Sequence, residues 1–371
     1  MLRIHWFLPT GGDSRDVVPD QPDSVCRAPT LDYLAQVARA ADQLGFDALL
    51  TPCGTACEDA WITTAMLIPQ TERVRFLVAF RPGLLSPTLA AQMASTYQRL
   101  SGGRVLLNIV TGAEPHELAR FGDFADKDTR YARTGEFMEI MKAAWRQSPA
   151  HFDGDHYRVV AATTRATPEP APPVYFGGAS DAAQDVAARS ADVYLTWGEP
   201  PAAVGERVQR MRERAAQYGR TVGFGIRLHV IARPTADEAW AVAERLQARM
   251  SPDALAAAAA DFATTQSEGQ RRQASLAAGS SRNELEIYPN LWAGIGLVRG
   301  GVGTALVGSY VEVADRIEEY AALGLDDFIL SGYPHLEEAY WFGEGVLPIL
   351  RERGRVSPLA SANGGTFSTF R

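Results

Sequence analysis

Short apolar segments alternate with amphipathic stretches along most of the chain. Eight segments have the length and residue types of buried strands: Arg3–Leu8, Asp47–Thr51, Arg73–Phe80, Arg104–Val110, Pro173–Gly177, Val193–Thr196, Phe224–Ala232 and Asp327–Leu330. The stretches between them repeat apolar residues at helical spacing, over Leu31–Leu44, Leu89–Leu100, Tyr131–Trp145, Asp181–Arg189, Ala203–Tyr218, Ala236–Met250 and Val311–Leu323. Eight strands, most followed by a helix, predict a (β/α)8 TIM barrel. A doubly wound open sheet is the alternative, but its usual glycine fingerprint is missing after Leu8.

Two segments interrupt this alternation. His151–Val160 has the pattern of a hairpin with an Asp-Gly type of turn. Residues 251–289, rich in Ala, Gln, Ser and Gly, are inserted between the seventh and eighth strands. That position lies on the C-terminal face of a barrel, so we expect a lid over an active site, with a disordered insertion as the alternative. Residues 1–355 then form a single barrel, and residues 356–371 a flexible tail.

The seventh predicted strand has two faces of opposite character. Ile226, Leu228 and Val230 point to one side, whereas Arg227 and His229 point to the other. Strands of a parallel barrel are covered on both faces, so a guanidinium and an imidazole cost several kcal/mol there unless they are compensated. A structural ion pair is one explanation. An anionic ligand or an active site is the explanation that we favour.

Glycines and hydrogen-bonding residues occur where other predicted strands end. The fourth strand runs into Asn108 and Thr111, and the fifth into Gly177-Gly178 and Ser180, a predicted helix N-cap. Free amides at such a turn suit a phosphate, although a simple tight turn has the same pattern.

Further candidates follow the second, sixth and eighth strands. Trp197 is either a packing residue or a pocket wall, and Cys57 either a small buried hydrophobe or a reactive group. If the eighth strand stays extended, Ile329, Ser331, Tyr333 and His335 share one face and converge with Arg227 and His229. Arg299 lies in a glycine-rich loop after the insertion, where it could close over an anion.

Composition narrows the class of protein. The net charge of −8 argues against nucleic acid or an anionic membrane as a partner. No apolar run has transmembrane length, and the first residues lead directly into a strand rather than a signal peptide. Three cysteines cannot all pair, which favours the cytoplasm, and Cys53 and Cys57 lack the partners of a zinc site, so we expect no metal. Arginine suits planar or tetrahedral oxyanions, so we expect a phosphate-bearing cofactor beside an anionic substrate.

Several motifs resemble those of alkanesulfonate monooxygenases, which belong to the bacterial-luciferase-like, flavin-dependent group. The resemblance spans about residues 2–350, and its motifs are Trp6–Thr10, Cys57–Trp61, Asn108–Gly112, Tyr175–Gly178, Leu195–Pro201, Gly225–Val230 and Ser331–Tyr340. It implies a luciferase-like barrel that binds FMN as FMNH2, supplied by a separate NAD(P)H-dependent flavin reductase. With O2 as co-substrate, such an enzyme cleaves the C–S bond of an alkanesulfonate to an aldehyde and sulfite, for sulfur acquisition. The group commonly forms dimers or tetramers, so we also expect a homo-oligomer.

The resemblance also implies roles for individual residues. The active site would contain Cys57, Trp197, Arg227, His229, Arg299, Tyr333 and His335. Arg227 would hold the sulfonate or the oxygenated flavin by electrostatic stabilisation, His229 and His335 would transfer protons, and Arg299 would anchor the closed lid. The flavin would be held by Asn108, Thr111, Tyr131, Gly177, Gly178 and Ser180, with Ser180 at its phosphate.

The chain departs from the family pattern in its early loop and after the second strand. The family's Thr-His-Gly-Asp-Gly is replaced by Thr10–Ser14, without the histidine, and Pro52–Cys57 lacks the family's arginine. These changes bear on substrate size more than on reaction class. The alternatives are a monooxygenase of the same fold acting on methanesulfonate or a sulfone, a non-catalytic flavin-binding protein, and a deazaflavin-dependent oxidoreductase.

Overall fold

The computed structural model describes residues 1–112, 114–146 and 149–359. Its strands, in chain order, are β1 (Arg3–Phe7), β2 (Asp13–Ser14), β3 (Cys26–Arg27), β4 (Ala48–Thr51), β5 (Arg75–Phe80), β6 (Val105–Ile109), β7 (Ala150–Asp153), β8 (Arg158–Ala162), β9 (Val174–Gly177), β10 (Val193–Trp197), β11 (Gly223–Arg233), β12 (Glu286–Tyr288), β13 (Leu291–Trp292), β14 (Ala305–Ser309) and β15 (Asp327–Ser331). The predicted tail falls mostly on residues 360–371, which lie outside the described residues.

Helices cover the outside of the sheet. They are α1 (Leu31–Leu44), α2 (Ala60–Leu67), α3 (Pro87–Leu100), α4 (Pro115–Arg120), α5 (Lys127–Ala144), α6 (Asp181–Ser190), α7 (Pro201–Gln217), α8 (Ala236–Ala248), α9 (Pro252–Thr264), α10 (Glu268–Leu276), α11 (Arg282–Leu285), α12 (Tyr310–Ala322) and α13 (His335–Glu352), with short 3₁₀ turns at Ile68–Gln70 and Gly294–Leu297. The seven helices predicted from the sequence are confirmed to within a few residues at each end. None of the helices in the described ranges is long and apolar enough to cross a membrane.

The predicted barrel is confirmed. Eight parallel strands of the described chain follow the order β10-β9-β6-β5-β4-β1-β15-β11, and β11 pairs back onto β10 to close the ring. Each of these strands corresponds to one of the eight predicted segments. Because all eight run in the same direction, their carboxyl ends meet at one face, where barrel active sites are built.

The seventh barrel strand is longer than predicted and has an additional partner. β11 pairs with β10 and β15 along its first part, and from His229 onward it also pairs with β14. β14 is joined antiparallel to β13, and β13 to β12, so the sheet extends beyond the barrel. The sequence analysis missed β14 because its five residues directly follow a glycine-rich loop.

The insertion between the seventh and eighth barrel strands is folded, so the alternative of a disordered segment is wrong for its described residues. It forms α9, α10 and α11, and α10 is tied to the end of β10. The Gln273 side chain donates to the Gly198 carbonyl at 2.9 Å and accepts from the Gly303 amide at 2.8 Å. Arg272 also donates to the buried Glu199 carboxylate at 3.0 Å. The predicted hairpin of β7 and β8 is confirmed as an antiparallel pair.

The eighth barrel strand ends one residue after its predicted end at Leu330. β15 ends at Ser331, and α13 begins at His335 after an N-cap at Pro334. The condition under which Ile329, Ser331, Tyr333 and His335 would share one strand face is therefore not met. Proline has no N–H for a strand ladder and is compatible with a helix start, so the chain turns between Ser331 and His335.

A buried carboxylate connects three strands at the opposite, amino-terminal end of the barrel. Asp327 accepts hydrogen bonds from Arg3 Nε at 2.7 Å, His5 Nε2 at 2.9 Å and the Tyr175 hydroxyl at 2.9 Å. Burial alone would raise the pKa of this carboxyl, but the bonds from Arg3 and His5 hold it well below its usual range. Asp327 therefore fixes β1, β9 and β15 relative to one another.

Candidate active site

A cavity opens at the carboxyl ends of β6, β9 and β10. It encloses about 1160 Å³ including its mouth, and α5 and the residues before and at the start of α10 complete its walls. The six residues predicted to hold a cofactor all line it: Asn108, Thr111, Tyr131, Gly177, Gly178 and Ser180. The barrel topology brings them together, because these residues lie on adjacent strand ends and on the helix that crosses beside them.

One corner of the cavity is built for close approach to backbone amides. Ser180 is the N-cap of α6, and its hydroxyl accepts from the Ala183 amide at 3.4 Å. A Cβ on Gly178 would lie 2.5 Å from the Ala183 Cβ and 3.4 Å from the Tyr131 hydroxyl. Glycine is therefore required at this turn, and the start of α6 offers free amides and a positive dipole end to an anion.

Basic side chains line the same cavity, and sequence analysis did not select three of them: Lys127, Arg130 and Arg207. An Arg207 guanidinium nitrogen lies 2.7 Å from Glu199 Oε1, so this arginine forms a buried ion pair that stabilises the cavity mouth. Buried Arg130 donates to the Ala125 carbonyl at 2.6 Å and to Gln266 at 3.3 Å, while its Nε bonds no described residue. Its position next to Tyr131 in α5 was the available signal.

Arg227 is buried in the wall of the cavity, and none of the described acidic residues pairs with it. Its guanidinium donates to the Leu228 and Ile329 carbonyls and, at 2.7 Å, to the Ser331 hydroxyl, and it lies 5.1 Å from the centre of the Phe7 ring. No carboxylate of the described residues is within ion-pair distance, so a structural ion pair does not explain this residue. Burial, assisted by the charge of Arg299, lowers the pKa of Arg227 to about 9, which leaves it protonated at neutral pH.

His229, Tyr333 and His335 form a buried cluster behind Arg227. The Tyr333 ring lies between the two imidazoles, with its centre 5.5 Å from that of His229 and 5.3 Å from that of His335. The predicted convergence is thus reached through a turn and a helix start rather than along one strand. None of the three lines the large cavity, although Tyr333 lines a second cavity of about 700 Å³ beside Arg233 and Glu338.

The remaining predicted residues take different positions. Trp197 lines the large cavity, and a Cβ on Gly269 of the insertion would lie 3.0 Å from its ring. Cys57 and Arg299 are half-buried and do not line that cavity. Burial raises the pKa of the Cys57 thiol, so this cysteine is not an activated thiolate. Arg299 donates at 3.4 Å to the neighbouring Gly300 carbonyl. The arginine that links the insertion to the barrel mouth is Arg272, which forms an ion pair with Glu199.

Comparison with solved structures finds chains that share this barrel fold. The chain is 22% identical to a riboflavin lyase solved with modified FMN and riboflavin, covering 96% of this chain and 93% of that one with a TM-score of 0.80. It is 20% identical to a long-chain alkane monooxygenase, with coverage of 95% and 92% and a TM-score of 0.77. It is 18% identical to an EDTA monooxygenase from Chelativorans sp. BNC1, with coverage of 96% and 95% and a TM-score of 0.74. At these identities the likeness establishes the fold.

The family follows from the sequence itself. The model of the luciferase-like monooxygenase family matches residues 2–327, which include seven complete barrel strands and the start of the eighth. This span also contains the glycine turn at Gly177-Gly178, the buried Arg227 and the whole insertion. The protein therefore belongs to the luciferase-like monooxygenase family.

Proposed function

We propose that this protein is a monooxygenase that uses FMNH2 and O2 to cleave the C–S bond of alkanesulfonates. The observation that carries the proposal is Arg227, a protonated guanidinium buried in the cavity wall without a carboxylate among the described residues. A buried cation of this kind is unfavourable until an anion binds beside it. The second supporting feature is the Gly177-Gly178-Ser180 turn in the same cavity, which fits the phosphate of a flavin mononucleotide.

The cavity residues fit FMN by their chemistry. Ser180 and the first amides of α6 would hold the phosphate, with Lys127 and Arg130 supplying positive charge at the same end of the cavity. Asn108 and Thr111 would hydrogen-bond the rest of the cofactor, and Thr111 Oγ1 has no hydrogen bond to a described residue. Reduced FMN, when bound, supplies the electrons that activate O2. We propose that a separate NAD(P)H-dependent reductase delivers it.

A sulfonate is the substrate class that suits Arg227. The guanidinium presents its donors in a fixed planar fork, which matches two oxygens of a tetrahedral oxyanion. The reaction converts one sulfonate, one O2 and one FMNH2 into an aldehyde, bisulfite, FMN and water. One proton leaves the carbon next to sulfur in this balance, so the site needs a proton acceptor. Because the pKa of both His229 and His335 is lowered mainly by burial, both imidazoles are neutral at pH 7, as acceptance requires.

The proposal is tested by sulfite release. The purified protein is mixed with a flavin reductase, NADH, FMN and a series of linear sulfonates of increasing chain length, and sulfite is measured with a thiol reagent. We expect flavin-dependent sulfite release, with a matching amount of aldehyde, from at least one sulfonate. A reaction without the protein controls for free reduced flavin. The absence of sulfite from every sulfonate would overturn the assignment.

Further measurements separate the alternative functions. Preference for methanesulfonate in the sulfite assay, or release of aldehyde and sulfinate from a sulfone, would keep the reaction class and change the substrate. Thermal stabilisation by a deazaflavin in place of FMN would indicate a different oxidoreductase. Tight binding of oxidised and reduced FMN without substrate turnover would indicate a flavin-binding protein.

The phosphate turn gives a second prediction. In Gly178→Ala the added Cβ collides with Ala183 at the start of α6, so the turn must move away from the phosphate. We expect the FMN affinity to fall at least about 10-fold, which corresponds to ~1.4 kcal/mol. Fluorescence titration with FMN measures it. Gly135→Ala is the matched control, because its Cβ would meet Val186 at an ordinary 3.9 Å. An unchanged FMN affinity in Gly178→Ala would mean that the phosphate does not bind at this turn.

A further inference from the structure

Two buried imidazoles, those of His229 and His335, each use Nδ1 in a hydrogen bond and leave Nε2 without one to the described residues. Their Nδ1 partners differ in a way that matters for proton transfer. We propose that Asp13 and Ser331 are positioning residues that fix opposite tautomers in the two rings. His335 can then accept a proton at Nε2, whereas the neutral His229 ring can only donate a hydrogen bond from Nε2.

The tautomer of His335 follows from the charge of Asp13. The Asp13 carboxylate lies 2.8 Å from His335 Nδ1 and also accepts from the His335 backbone amide and the Ser14 amide, each at 2.9 Å. It accepts from the Tyr33 hydroxyl as well. Burial would raise the pKa of Asp13, but the bond from His335 and the other donors lower it, so Asp13 is a carboxylate and only accepts. His335 Nδ1 must therefore carry the hydrogen, and Nε2 keeps its lone pair.

The tautomer of His229 follows from the hydroxyl of Ser331. Arg227 donates to Ser331 Oγ at 2.7 Å, and the same oxygen lies 2.8 Å from His229 Nδ1. With the guanidinium donating, the hydroxyl hydrogen of Ser331 is free to point at Nδ1, which then accepts. Nε2 of His229 therefore carries the hydrogen.

The consequence is a matched donor and acceptor on either side of Tyr333. Within the function proposed above, His335, which lies behind Arg227 rather than in the cavity wall, supplies at Nε2 the proton acceptor that the reaction balance requires. His229 Nε2 is a hydrogen-bond donor linked through Ser331 to Arg227, the residue that we propose holds the anion. Replacing a carboxylate that orients a catalytic imidazole is known to be costly because the ring then takes the wrong tautomer. Asp13 is part of the Thr10–Ser14 loop, which the sequence comparison marked for its missing histidine rather than for its acid.

Nitrogen NMR of the intact protein tests the tautomers directly. The chain has 6 histidines, so ring-labelled histidine gives a small set of signals that His229→Asn and His335→Asn variants assign. At pH 7 we expect a protonated Nδ1 and bare Nε2 for His335, and the reverse for His229. The same tautomer in both rings, or Nε2–H in His335, would overturn the proposal. This readout needs no turnover, so it stands apart from any failure of the sulfite assay.

Two variants serve as controls for each other. Asp13→Ala should release the tautomer of His335 and leave the His229 signals unchanged, whereas Ser331→Ala should do the reverse. In Asp13→Ala we also expect kcat for sulfite release to fall about 10²-fold or more, with a much smaller change in KM. Loss of kcat with unaltered ring signals would show that Asp13 acts by another route and would refute its assigned role. If either variant fails to fold, the signals of the unmodified protein still decide the question.

Discussion

Arg227→Ala should lower kcat/KM for sulfite release about 10²- to 10³-fold while leaving the affinity for FMN nearly unchanged. Removing one preorganised group that stabilises charge in a buried site costs about 2.7–4 kcal/mol of transition-state stabilisation. The same change should not destabilise the fold, because the guanidinium is buried without a carboxylate among the described residues. We expect an unchanged or higher melting temperature, because removing a functional group that destabilises the folded state commonly increases stability.

The measurements are steady-state sulfite release, FMN titration and thermal unfolding of the same preparations. Arg210→Ala is the matched control, since this exposed arginine contacts Glu206 at 3.7 Å on the outside of α7. Arg227→Lys keeps the charge and loses the planar fork, so it should recover little of the activity. Equal losses of FMN affinity and turnover would show that Arg227 binds the cofactor rather than the substrate. Full activity in Arg227→Ala would refute the proposed function of this residue.

Asp327→Asn should destabilise the protein by about 3–5 kcal/mol, the usual cost of breaking a buried ion pair from one side. The carboxylate is fully buried, and its partners Arg3, His5 and Tyr175 come from two other strands. The Arg3 side chain is 38% exposed and can be partly rehydrated, so we expect a value near the lower limit. Urea unfolding followed by circular dichroism measures the loss. Asp326→Asn, one residue earlier and exposed, makes the same change in net charge and should shift stability by less than about 0.5 kcal/mol.

The pH dependence gives an independent check on Asp327. The pKa of Asp327 is lower in the folded protein than in the unfolded chain, where it is about 3.9. The ionised carboxylate therefore makes its full contribution to the free energy of unfolding above that pH. That contribution is lost progressively as the pH falls from there toward the folded pKa. The stability difference between the unmodified protein and Asp327→Asn should therefore shrink below about pH 4. A constant difference across that range would mean that the ion pair is not the source of the stabilisation.

The sequence predicted the barrel strands well because each is an isolated apolar run bounded by turn residues. Phe224–Ala232, for example, lies within the observed β11, and the predicted Pro173–Gly177 is β9 with one extra residue. β14 was missed because a strand of five residues after a glycine-rich loop has little periodicity to detect. The sequence left open whether the chain stays extended beyond Leu330, since local pattern does not fix where a strand stops and a helix starts.

The candidate site was predictable where chemistry and local pattern coincide. Gly177, Gly178 and Ser180 precede a capped helix, and Arg227 interrupts the polarity of a buried strand, so each carried its own signal. Asp13 carried none, and Arg130 only its position next to Tyr131, because an aspartate in a loop and an arginine at a helix start are ordinary on a protein surface. Their burial, and the partners that explain it, exist only after distant segments have packed together.

By itself, the sequence determined the order of the eight barrel strands and of seven helices, the family, and the position of one cation and one glycine turn on or after barrel strands. The spacing of apolar residues and the residue types that favour turns are both defined within a few consecutive residues, so they are visible in the sequence. Tertiary structure alone decided which buried charges have acidic partners: Glu199 pairs with both Arg207 and Arg272, whereas neither Arg227 nor Arg130 pairs with an acid among the described residues. Pairing depends on distances between residues far apart in sequence. It therefore decides which buried cations are left for a ligand, and a local pattern does not record it.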